Sequence, residues 1–121
     1  MESNSKDFKF KDYPQNGEEA WQRLLRGNER FIGDEVTYVS HFAKNFRTTK
    51  ENLFLVQKPF AIVITCSDSR VSPELIFNES LGSLFIIRIA GNVIDENVIG
   101  TIEYAVIFFF NFSFDYHLFS F

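Results

Sequence analysis

Phe60-Ala61-Ile62-Val63-Ile64-Thr65-Cys66-Ser67-Asp68-Ser69-Arg70 is the stretch from which the rest of the chain is read. Its first six residues are continuously apolar and rich in β-branched side chains, the pattern of a short strand buried on both faces of a parallel sheet. The polar residues that follow therefore sit at a strand's carboxyl end. Ser72, Pro73 and Glu74 make a helix start with Leu75 and Ile76 as its apolar contacts. Gly82 then leads into a second buried run, Leu84-Phe85-Ile86-Ile87. Strand, helix, strand in that order predicts a right-handed βαβ crossover. Asp95 is placed to cap a further helix whose apolar face is Val98, Ile99, Ile102, Ala105 and Val106. The fold class is α/β.

Upstream of Pro59 the pattern is helical. Asn16 is a candidate N-cap with Glu19 three residues on, and Ala20, Trp21, Leu24, Leu25 and Phe31 follow at helical spacing until Gly33. Val39, Phe42, Ala43 and Phe46 form a second periodic set, and Thr48 with Glu51 could open a third helix. These stripes are expected to pack on a core or on another subunit.

Composition narrows the function. A chain of 121 residues is one domain's worth. A net charge of -4 argues against nucleic-acid binding by bulk charge. The single cysteine excludes an intramolecular disulfide framework, and the first residues carry no apolar signal segment, so a reducing, cytoplasmic location is expected. The nearly uncharged stretch 104–121 holds Asn111, Ser113, Asp115 and His117, so no membrane span is expected.

Ligands of open parallel sheets bind beyond the carboxyl ends of the strands, where Cys66, Asp68 and Arg70 bring a thiol, a carboxylate and a guanidinium together. Arg70 can keep Asp68 ionised through a bidentate, charge-assisted bond. Both Arg70 and the following helix N-terminus are expected to lower the Cys66 pKa. A phosphate-wrapping cysteine loop needs a longer spacing than the three residues between Cys66 and Arg70. Two readings stay open: a zinc site needing further ligands, with Asp68 a candidate, or a small buried cysteine beside an ion pair that closes a turn.

The run from Cys66 to Asn92, with Cys-Ser-Asp-Ser-Arg, Pro73, Gly82 before a Phe-containing strand, Arg88 and Ala90-Gly91-Asn92, resembles the β-class carbonic anhydrases. The likeness extends through Ile102-Glu103-Tyr104-Ala105-Val106 and back to about Pro14. It implies a parallel-sheet core of that type behind N-terminal helices, with zinc as cofactor. It also implies hydration of carbon dioxide to bicarbonate by zinc-bound hydroxide, in a homodimer or higher homo-oligomer. Cys66 then corresponds to the first zinc ligand. Asp68 and Arg70 correspond to a dyad in which Asp68 either pairs with Arg70 or swings onto the zinc. Gln57, Phe85 and Tyr104 correspond to residues lining the carbon dioxide pocket, shared between subunits. Taken residue by residue, Phe85 and Tyr104 read equally as core aromatics and Gln57 as a solvated loop residue.

The family's remaining ligands, a His-x-x-Cys pair, would fall at Phe119 and just after Phe121. His117 with Ser120 has the internal spacing but is displaced by two residues, and His41 lies on a predicted helix without a partner. Seven of the chain's 16 phenylalanines crowd residues 108–121. There Phe108, Phe110, Phe112, Phe114, Tyr116 and Leu118 alternate with polar residues as in a half-buried strand. The resulting expectation is a helical arm at 1–58, a zinc-site half-domain at 59–106 and an atypical tail at 107–121. On this reading the chain is truncated or frame-shifted after about Val106 and the C-terminal part of the fold is missing. The alternative to an active enzyme is an inactive carbonic-anhydrase-like fragment.

Overall fold

The computed structural model of the chain describes residues 13–37, 44, 57–110 and 118–120. Helix α1 spans Gly17–Ile32. Its start is local chemistry: the Asn16 side chain accepts the Glu19 N–H at 2.9 Å, and the Glu19 carboxylate accepts the Gln15 N–H at 2.8 Å. Gly33 caps the other end, its N–H reaching the Glu29 carbonyl. The periodic sets beginning at Val39 and at Thr48 lie outside the described residues.

Strand β1 (Ala61–Thr65) is buried at every position, as an uninterrupted apolar run requires. The short helix α2 (Pro73–Ile76) follows, then β2 (Leu84–Arg88), a 3₁₀ turn (Ala90–Asn92), helix α3 (Glu96–Phe109) and strand β3 (Leu118–Ser120). β1 is central in the order β2-β1-β3, and both neighbours run parallel to it. The register sets Ile62 beside Phe85, Thr65 beside Arg88 and Ile64 beside Ser120.

Alternate residues of β1 serve two cores. Ala61 and Val63 pack with Ala20 and Leu24 of α1 and with Phe77, whereas Ile62 and Ile64 pack with Ile87 and with Val98 and Ala105 of α3. Helices thus cover both faces of the sheet.

α1 docks against α2, the turn after it and the residue before β1 through long-range contacts. Arg23 makes a bidentate pair with buried Glu79 at 2.7 and 3.0 Å, and its guanidinium lies 4.6 Å from the centre of the Phe60 ring. The Asn28 amide donates to the Ile76 carbonyl at 3.1 Å. Gly27 makes the approach possible, since a Cβ there would stand 1.7 Å from the Phe77 carbonyl oxygen.

Asp95 caps α3 as expected, accepting the Val98 N–H at 3.0 Å. Two expectations need correction. Ile99, assigned to the apolar face, is 48% exposed, because the buried positions fall at Val98 and Ala105 with Ile102 and Phe109 packed beside them. The alternation that reads as a strand from Phe108 is overridden by helix through Phe109, where Phe109 continues the spacing of Ile102 and Ala105 onto the sheet. A phenylalanine run satisfies both periods, and packing against Phe85 selects the helical one. Strand structure returns at Leu118–Ser120. Among the described residues no helix is long and apolar enough to cross a membrane.

Candidate active site

Cys66 follows the last residue of β1, and its side chain meets the exit of β2. The Gly91 N–H donates to Cys66 Sγ at 3.3 Å. Gly91 adopts φ of +68°, a left-handed conformation that suits glycine, where the chain turns toward the thiol. That N–H lowers the Cys66 pKa, with help from the Asp68 amide and against burial and the Asp68 charge. This corrects the expectation for Arg70: backbone N–H groups, led by Gly91, lower the thiol pKa, and Arg70 spends its fork on Asp68.

The Arg70 fork closes on its neighbour. Nε donates to Asp68 Oδ1 at 3.0 Å and Nη2 to Oδ2 at 2.8 Å, while the Arg70 backbone N–H also reaches Oδ1 at 2.9 Å. These bonds hold the Asp68 carboxyl below the usual carboxylate range and raise the Arg70 pKa. The ion pair read from two residues' spacing is therefore formed, with Asp68 turned toward Arg70.

Two residues that the sequence reading named only for the family resemblance, without a role at the site, complete the cluster. Arg88 reaches from the end of β2 to donate to the Cys66 carbonyl at 3.1 Å and to the Asp68 carbonyl at 2.6 Å. Gly91 supplies the N–H at the thiol. The available signal was an arginine ending an otherwise apolar strand, a position where the charge needs polar partners.

The three residues matched to a substrate pocket lie apart from this cluster. Phe85 pairs in register with Ile62, four residues before Cys66, or roughly 13 Å along the strand. Its ring belongs to an aromatic group with Tyr104 at 6.3 Å and Phe109 at 5.5 Å, and Phe108 stacks against Tyr104 at 4.6 Å. Tyr104 is 50% exposed, so it is not a core aromatic. Gln57 is exposed and precedes the amino end of β1, whereas Cys66 follows its carboxyl end. Within one chain, then, the structure gathers Cys66, Asp68 and Arg70 at one end of the sheet and Phe85 with Tyr104 nearer the other.

For zinc, the described residues offer a thiol with a lowered pKa, as a metal-binding thiolate requires. The adjacent carboxylate is engaged by Arg70. Among the described residues no group of three or more His, Cys, Asp or Glu side chains could hold a metal ion. The donors thus fit a part of a tetrahedral zinc site and not the whole of it. His41 and His117 lie outside the described residues.

Comparison with known proteins gives the same answer from several directions. Residues 61–109 match the family model described as carbonic anhydrase, so the match, like α3, continues three residues past Val106. Carbonic anhydrase 2 of Mycobacterium tuberculosis is 44% identical over 87 residues, covering 72% of this chain and 40% of that protein. The carbonic anhydrase of Mycolicibacterium smegmatis is 41% identical over a stretch of the same length and coverage. The solved structure of the β-carbonic anhydrase CcaA superposes with a TM-score of 0.50 at 35% identity, over 72% of this chain and 42% of that one. The chain spans about two fifths of the length of these curated relatives. Matched from the buried strand through the long helix, and in fold to a solved member at 35% identity, this chain is similar to the β-class carbonic anhydrases over the part that holds Cys66.

Proposed function

We propose that the chain contributes to the reversible hydration of carbon dioxide, carbon dioxide and water giving bicarbonate and a proton. The observation that carries this is the Cys66 cluster: a thiol of lowered pKa at a strand end, two residues from a carboxylate locked to an arginine. Cys66 is the residue that would hold zinc, with Asp68 beside it. When bound, zinc supplies a Lewis acid that brings water ionisation near neutral pH. Asp68, kept charged by Arg70, offers an acceptor for a proton of the attacking water, and Arg70 fixes the direction of that acceptor. The half-buried ring of Phe85 and the exposed ring of Tyr104 provide an apolar surface suited to carbon dioxide, and Gln57 an amide N–H for its oxygen.

Because the aromatic group and Gln57 stand apart from Cys66 within one chain, a pocket containing all of them needs a second copy, which supports a homodimer. A second reading, an inactive carbonic-anhydrase-like fragment, is favoured by the incomplete donor set among the described residues. Zinc content by mass spectrometry and carbon dioxide hydration by stopped flow separate the two. One zinc per chain with turnover abolished in Cys66→Ala supports the enzyme; a zinc-free chain without turnover supports the fragment.

A further inference from the structure

Arg88 does something no residue nearer Cys66 does: it holds the backbone of the site loop from a different strand. Its guanidinium spans the carbonyls of Cys66 and Asp68, two residues apart, with Nε on one and Nη2 on the other. Carbonyls at the open end of a parallel sheet are free to take several orientations, and a planar fork with fixed donor directions selects one. The same segment also reaches the side chain, because Gly91, three residues after Arg88, donates its N–H to Sγ. The Ile89 N–H to the Thr65 carbonyl, at 3.1 Å, ties the start of this segment to β1. Cys66 is thus gripped at its carbonyl and its sulfur by residues 22 and 25 positions away.

We infer that Arg88 is a positioning residue, which fixes the Cys66–Asp68 backbone so that the thiol meets the Gly91 N–H and the Asp68 carboxylate meets Arg70. It touches neither reacting group itself; both of its bonds go to main-chain oxygens. This role deepens the proposed use of Cys66 and Asp68 and rests on it. Lysine cannot replace it, since a single ammonium on a flexible stem does not reproduce two coplanar donors.

Amide hydrogen exchange of the full chain as purified, followed by NMR, reads the two dependent bonds directly. The Gly91 N–H reports the contact with sulfur and the Arg70 N–H reports the contact with Asp68 Oδ1. In Arg88→Ala, protection at both amides falls by about tenfold or more, while the β1 amides of Ile62 to Ile64 keep theirs within about twofold. Arg88→Lys shows the same selective loss. Unchanged protection at Gly91 and Arg70 in both variants overturns the role. An equal loss at the β1 amides in both variants also overturns it, in favour of a general contribution to folding. Arg88→Lys, which keeps the charge, decides the matter if Arg88→Ala does not fold. The readout needs no turnover, so a chain without zinc or activity that still shows the selective loss refutes the proposed function and leaves Arg88 in place. Wild-type zinc binding and turnover with unchanged amides in the variants refutes Arg88 alone.

Discussion

Replacing Gly27 with alanine should destabilise the protein even though alanine is the better helix former. The added Cβ would lie 1.7 Å from the Phe77 carbonyl oxygen, where real contacts do not fall below 3.0 Å, so α1 must move off α2 by about 1.3 Å. A shift of that size carries the Asn28 to Ile76 bond, now 3.1 Å, out of hydrogen-bonding range. Overpacking costs about 1–3 kcal/mol and the lost bond about 1 kcal/mol more, against which alanine recovers about 1 kcal/mol of helix propensity. The net loss is about 1–3 kcal/mol. Urea denaturation followed by Trp21 fluorescence should show the midpoint lowered by roughly 1–2 M. Gly100 is the control, since nothing lies within 4 Å of a Cβ built there. Gly100→Ala should gain up to about 1 kcal/mol from propensity alone. A Gly27→Ala protein as stable as wild type, or a pair of variants that behave alike, would refute the close helix contact.

Other outcomes follow from the same contacts. Glu79→Ala leaves Arg23 without its buried partner and should cost about 2–3 kcal/mol in the same denaturation assay; a loss below about 0.5 kcal/mol would show that the pair is not formed. NMR titration of Asp68 should give a midpoint below the ordinary value of about 3.9, moving up in Arg70→Ala. Because the folded pKa is the depressed one, the stability it contributes is full above the unfolded pKa and is lost as pH falls through the folded pKa, a dependence that Asp68→Asn should remove. The rate of Cys66 alkylation by iodoacetamide should rise with pH with a midpoint below that of an unperturbed thiol, about 8.5; an ordinary midpoint would contradict the Gly91 contact.

The residues that specify local structure were legible before any coordinates. Asn16 and Asp95 cap helices through side chains that reach only three residues along the chain, and Asp68 meets Arg70 across two. The β1 run announces a strand covered on both faces because no position in it tolerates water. Where the pattern was ambiguous, packing chose. The phenylalanines at 108 and 109 suit either period, and contact with Phe85 and Tyr104 settled them as helix.

The sequence by itself determined the class of fold, the caps, the buried central strand and the Cys66-Asp68-Arg70 chemistry at its end, since each depends on neighbours within a turn or a strand. Only the tertiary structure decided what sets the thiol, which is Gly91 and not Arg70, and that Arg88 holds the loop. It also decided that Gly27 is a point of helix contact and that Phe85 and Tyr104 lie away from Cys66. The contacts among those features join residues 20 to 50 positions apart, and the register of parallel strands and the docking of α1, not any local pattern, bring such residues together.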